Sequence, residues 1–257
     1  MRAVVVGVFA ALLLSSASAS AAGQNAPGAP PHVLNITQVK VKPKDSGTYA
    51  AVEAQVARAF ERARARVYWI GLQSSKDAHD VLYLNLFASA NDVGRATEAY
   101  RSAAAAHPDL GQLQQRLTAL TASTSTTLTT RRDDIDRAAM EADFATMRTL
   151  RLTTFQVQPG REGEFIKAIR TANPKDGAWL VYEANDSSTF VLVTLKKGGM
   201  TRKDGPPIPR TLRHGKALYL KSDSRVYAVK PAMSHVTQAF VAANPQLWRP
   251  ATVSGLH

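Results

Sequence analysis

The 257 residues contain no cysteine. That excludes disulfides, thiolate metal sites and a lipid-modified cysteine anchor, so the fold must be held by its core alone. Long apolar runs are missing too. The run from Ala3 to Leu14 falls well short of the roughly 20 residues a membrane-spanning helix needs, and no later segment is more apolar. There is no phosphate-cradling glycine loop, no dinucleotide fingerprint and no G-x-S-x-G serine elbow. Zinc-finger spacing and an RNA-binding aromatic signature are also absent. The six histidines form no H-x-x-x-H pair, and no metal site is assigned. Acidic residues are scarce, 20 against 32 Lys and Arg, which leaves a net charge of +12. That balance favours anionic neighbours such as an envelope surface. The cations sit in short, separate clusters (Lys40–Lys44, Arg62–Arg66, Lys196–Lys203), so no nucleic-acid partner is expected.

What is present begins with a targeting signal. Arg2 precedes the apolar run, small residues follow it, and both Ala17-Ser18-Ala19 and Ala19-Ser20-Ala21 fit the small-x-small cleavage rule. Residues 1–21 therefore read as a secretory signal, and 22–32 as a Gly/Pro-rich linker. The expected location is periplasmic or secreted, and an exported chain without disulfides suits a bacterial periplasm.

One phrase then occurs twice. VKVKPKDSGTY (Val39–Tyr49) returns without a gap as FQVQPGREGEF (Phe155–Phe165). Thr37/Thr153, Val41/Val157, Pro43/Pro159 and Gly47/Gly163 are identical, and Tyr49/Phe165 and Ile36/Leu152 are alike. Behind each phrase the pattern gives the same order: strand, proline stop, Gly turn, amphipathic helix, aromatic strand, polar turn and return strand, with Trp69 answering Trp179. Proline ends the strand and glycine is expected to permit the turn before the helix. The segment from Asp133 to Thr149 reads as a connecting helix or helical turn. The second unit departs from the first at Gly198–Lys216, a Gly/Pro-rich stretch with a short helix from Pro209.

This element order resembles the dimeric α+β barrel superfamily, with two tandem units in one chain over roughly Val33 to Pro231. The fold expected from the resemblance is α+β: two tandem ferredoxin-like β-α-β-β units packed sheet to sheet as a fused α+β barrel. The units cover 33–135 and 150–233, with a connector at 136–149 and a tail at 234–257. Members of the superfamily include small monooxygenases, haem-handling enzymes and proteins of no known activity. They bind ligands between sheet and helices or inside the barrel. No catalytic motif of the family transfers to this chain.

Strand alternation supplies the candidate ligand-binding residues. Gln38 and Lys40 share one face of the first strand, Thr154 and Gln156 the matching face of its counterpart, and these would give a partly polar lumen. Trp69 and Trp179 fall on one face and Tyr182 on the other. Core packing is the favoured reading for these aromatics, and lining a cavity for a small apolar or aromatic ligand is the functional one. His214 lies where the repeat breaks and is the candidate haem ligand or general base. Phe240, Leu247 and Trp248 either cover a core edge or form a docking tail. The expected function is an exported small-ligand binding or interaction protein. The alternative is a small monooxygenase or haem-handling oxidative enzyme. A basic scaffold touching an anionic envelope is the third reading. No cofactor is identifiable from these residues.

Overall fold

The computed structural model describes residues 28–137, 143–172, 178–200, 209–213 and 216–249. The expected signal segment and His214 lie outside them. The first half runs β1 (Val33–Val41), α1 (Ser46–Arg62), β2 (Ile70–Ser74), β3 (Asp80–Phe87), α2 (Ala90–Ala106), α3 (Pro108–Leu120) and β4 (Thr121–Arg131). The second runs β5 (Thr149–Val157), α4 (Glu162–Arg170), β6 (Leu180–Ala184), β7 (Thr189–Lys196), the single turn α5 (Arg210–Arg213) and β8 (Tyr219–Val229). The short helices α6 (Gln238–Ala243) and α7 (Pro245–Trp248) follow.

All the strands belong to one closed antiparallel barrel in the order β1-β3-β2-β8-β5-β7-β6-β4. This corrects the expectation of two tandem ferredoxin-like units packed sheet to sheet. Each half does keep the same internal order, β4-β1-β3-β2 and β8-β5-β7-β6. The halves meet at their edges, however, and not through their faces. Leu72, Gln73 and Ser74 of β2 pair with Val229, Ala228 and Tyr227 of β8. Thr129, Thr130 and Arg131 of β4 pair with Ala184, Glu183 and Tyr182 of β6. An open sheet leaves a row of unpaired N–H and C=O groups at each edge, and joining edge to edge satisfies them. An ion pair ties each seam: Arg225 to Asp80 at 2.5 Å and Arg132 to Glu183 at 2.5 Å.

Closure explains why β1 and β3 are buried along most of both faces. One face looks into the barrel and the other lies under helices. The inward face joins Leu34, Ile36, Leu72, Leu84, Leu152 and Tyr227 into one cluster that Phe144, Met147, Phe240, Leu247 and Trp248 complete. Burying each such side chain contributes about 1.5–3 kcal/mol. The tail therefore covers a core edge: the Trp248 Nε1–H donates to the Ala145 carbonyl at 2.8 Å. The tail also straps the first half. Trp69 and His235 form a β-bridge, and Trp69 Nε1–H donates to the Met233 carbonyl at 2.8 Å. Gly71 makes room for this strap, since a Cβ there would sit 2.6 Å from the Met233 carbonyl oxygen.

One local reading changes and another narrows. The left-handed residues before the helices are Lys44 (φ 73°) and Gly160 (φ 80°). Gly47 and Gly163 lie inside the first turns of α1 and α4, where a Cβ would meet nothing. Of the two forms read for the 133–149 connector, helix or helical turn, the described parts take turns. Asp136 holds one of them by accepting from the Arg131 guanidinium at 2.5 Å and the Val181 amide at 2.6 Å. No helix among the described residues is long and apolar enough to cross a membrane.

Candidate functional site

The residues singled out in the sequence do not converge. Gln38, Lys40 and Thr154 lie on the inward-facing side of their strands but only half-buried, beyond the leucine layer, and Gln156 is exposed. The Lys40 ammonium is engaged by Asp77 and Asp80, both at 3.3 Å. Asp80 is buried and also takes Arg225. Tyr182 is inside the barrel, and its hydroxyl donates to the Pro31 carbonyl at 3.1 Å. Trp69 and Trp179 are on the opposite face, as alternation requires, but under the helices of different halves. Trp69 meets Phe60 edge-on at 5.2 Å, while the Arg137 guanidinium lies 5.4 Å from the Trp179 ring centre. Between the polar strand ends, the barrel interior is packed with hydrocarbon. Among the described residues no cluster of His, Asp and Glu could hold a metal.

A different constellation lies between α1 and the barrel wall. The Tyr49 hydroxyl donates to Glu53 Oε1 at 3.0 Å, one helical turn along α1. The Tyr83 hydroxyl, from β3, donates to the Tyr49 hydroxyl at 3.3 Å. Glu53 is only 2% exposed, and no cation pairs with it among the described residues. Burial raises its carboxyl to about 7, and the Tyr83 and Tyr49 hydroxyls nearby only partly oppose that. Burial and then the Glu53 charge push the Tyr49 and Tyr83 hydroxyls well above the usual phenol value. Tyr100, half-buried on α2, is raised to about 12 by burial and then by Glu53. Its ring stacks on Phe60 at 5.5 Å, and its hydroxyl donates to Gln114 at 2.9 Å. His235 closes the aromatic side, 5.3 Å from Trp69, with Nδ1 2.5 Å from the Val67 carbonyl oxygen. Burial lowers its pKa, and because a carbonyl oxygen only accepts, Nδ1 carries the hydrogen in this contact.

The second half shows what these positions need for packing alone. In the repeated phrase Phe165 stands for Tyr49, and one helical turn on Ile169 stands for Glu53. Tyr83 pairs with Thr37 on β1, and Leu192 pairs with the matching Thr153 on β5. Phe165, Ile169 and Leu192 are 0%, 1% and 4% exposed. Phenylalanine, isoleucine and leucine therefore fill the same geometry in the other half. The polar trio is an addition to the packing and not a requirement of it. A sequence signal for it did exist: Glu53 lies in the apolar stripe of α1 formed by Tyr49, Val52, Val56 and Phe60, where a carboxylate is out of place. A carboxyl poised near neutrality in a water-poor layer can accept or return a proton.

No family model matches the sequence, and no curated protein matches it. Solved structures do. An anthrone oxidase-like protein superposes with a TM-score of 0.52 at 12% identity, over 79% of this chain and 93% of its own. A protein from Fusobacterium nucleatum subsp. nucleatum, described as a monooxygenase, gives 0.50 at 11% identity, over 78% and 93%. The chain shares the fold of these two proteins. At these identities the likeness is one of fold alone.

Proposed function

We propose that this chain is an exported small-ligand binding protein whose ligand engages Glu53 in the layer between α1 and the barrel. One observation carries the reading. The first half buries a carboxyl, with no cation partner among the described residues, and two tyrosine hydroxyls where the second half packs Phe165, Ile169 and Leu192. Burying a carboxyl without a cation costs stability, and a ligand that donates to it would offset the cost. Tyr100 feels the Glu53 charge, and its ring continues into Phe60 and Trp69, so the fitting ligand is flat and aromatic with one acidic hydroxyl. Tyr100, half-exposed and tied to Gln114, is the side chain whose displacement would open the layer. Export rests on the Arg2, apolar and Ala-x-Ala features of the first residues.

A second reading is oxidation of such a ligand. It is favoured by the near-neutral carboxyl and by the named activities of the two fold neighbours. In it Glu53 takes a proton from an activated CH2 of the substrate, the carbanion gives its electrons to dioxygen, one oxygen atom becomes a new carbonyl at that carbon, and the other leaves as water with the two hydrogens. The test is titration of a hydroxyanthracene probe into the mature protein and its Glu53→Gln variant, with dioxygen consumption followed in parallel. Saturable binding to the first and at least tenfold weaker binding to the second, at equal Tm, supports the proposal. Equal binding by both, or none by either, rejects it. Dioxygen uptake that stops in the variant selects the oxidative reading.

A further inference from the structure

α1 has a second, outward face. Arg62 lies 3.5 Å from Asp109 at the start of α3, and Arg116 donates to Gln55 at 3.2 Å near its end. The two helices therefore run antiparallel. Between them is a cleft of 260 Å³ lined by Gln55, Arg58, Arg62, Asp109, Gln112 and Arg116, with Leu113 at its floor. Three guanidinium groups face one carboxylate. Arg58 and Arg62 are one turn apart on α1, and Arg116 comes from the opposite wall. Among the described residues Arg58 has no ion-pair partner. The Arg62–Asp109 contact is long and exposed on both sides, so it holds Arg62 weakly. Helix dipoles decide nothing here, because antiparallel neighbours oppose each other. Among the described residues the second half has no such cleft: α4 is nine residues long and the one-turn α5 is the helix beside it.

From this the geometry points to an anion site in the α1–α3 cleft, built for a phosphate group. Planar guanidinium forks match phosphate oxygens two at a time, and two walls allow a phosphate to be held from both sides. The glutamine amides supply neutral donors for the remaining oxygens. The site is independent of the Glu53 layer, which lies on the inward face of the same helix. The phosphate can arrive free, as a soluble monoester, or as a phospholipid head group.

The experiment uses the mature chain. Glycerol phosphate is titrated by calorimetry, and sedimentation with phosphatidylglycerol vesicles is measured against phosphatidylcholine vesicles. Two charge-matched double variants are compared: Arg58→Gln with Arg116→Gln in the cleft, and Arg148→Gln with Lys221→Gln at exposed positions elsewhere. The expected result is saturable binding that weakens about tenfold or more in the cleft variant and is unchanged in the other. Binding of glycerol phosphate identifies a soluble ligand. Binding confined to phosphatidylglycerol identifies the head group. Equal losses in the two variants would mean diffuse attraction to a basic surface and overturn the site, as would no binding to either probe. All four substitutions are at exposed positions, so an unchanged Tm confirms that the fold survives.

Discussion

The two halves of the barrel share a strand order, a helix position and a repeated phrase, yet their outer layers differ in kind. Around α4, Phe155, Phe165, Ile169, Phe190 and Leu192 make a hydrocarbon layer. Around α1, the same places hold Tyr49, Glu53 and Tyr83, with Tyr100 beside them. The comparison works as an internal control. Demands of the fold appear in both halves, whereas features of one half alone need another reason. The left-handed residue before each helix belongs to the first kind, and the buried carboxyl and the arginine cleft belong to the second.

The sharpest way to break the comparison is to move the carboxyl. Ile169→Glu places it in the second half without tyrosine donors, and should cost about 3–5 kcal/mol at pH 8 by chemical denaturation. A cost below about 1 kcal/mol would mean that the α4 layer is wet and that burial there says nothing about α1. The next effect is pH dependence. Folding raises Glu53 from its usual 4.5 to about 7. The folded chain thus holds the extra proton between those values, and stability falls as pH rises across that window. Relative to Glu53→Gln, wild type should lose about 3 kcal/mol from pH 4.5 to pH 8. Matching pH profiles for the two proteins would show an ordinary carboxyl, and the site reading would go with it.

Smaller effects sharpen the comparison. Trp69 Nε1–H is bonded to Met233, whereas Trp179 Nε1 is buried without a partner among the described residues. Trp69→Phe should therefore cost about 1 kcal/mol more than Trp179→Phe. Equal costs would mean that the strap contributes no hydrogen-bond energy at Trp69. The smallest expected change is Tyr83→Phe, under about 1 kcal/mol. Because the Tyr83 hydroxyl holds the carboxyl down, its loss should move Glu53 titration further up, as read from the pH profile. A downward move would contradict the hydrogen-bond assignment.

Much of the element order was legible because it is written in local rules. Alternation in Val33–Val41, the proline stops and the stripe on α1 each depend on a few neighbouring residues. The helix from Pro209 and the opposite facing of Trp69 and Tyr182 were legible for the same reason. The candidate site was not. Gln38, Lys40, Thr154 and Gln156 share faces in the strand pattern, and they continue the barrel-facing rows of Leu34 and Ile36 and of Leu150 and Leu152. Sharing a face does not gather them: they lie in the C-terminal halves of β1 and β5, and apolar side chains fill the barrel centre. The Glu53 trio is not legible in the sequence because one of its members, Tyr83, comes from a strand distant in the chain, and no spacing rule links it to α1.

The sequence by itself determined the repeat, the strands and helices, and their helix-facing and barrel-facing sides, since these follow from periodicity and turn chemistry within short windows. Only the tertiary structure decided that the halves join edge to edge, that the tail from Pro231 straps β2 and seals the core, and that Glu53 meets Tyr83. Each of these depends on pairing between distant segments. Such pairing is settled by satisfying open strand edges and filling volume together, which no local pattern records.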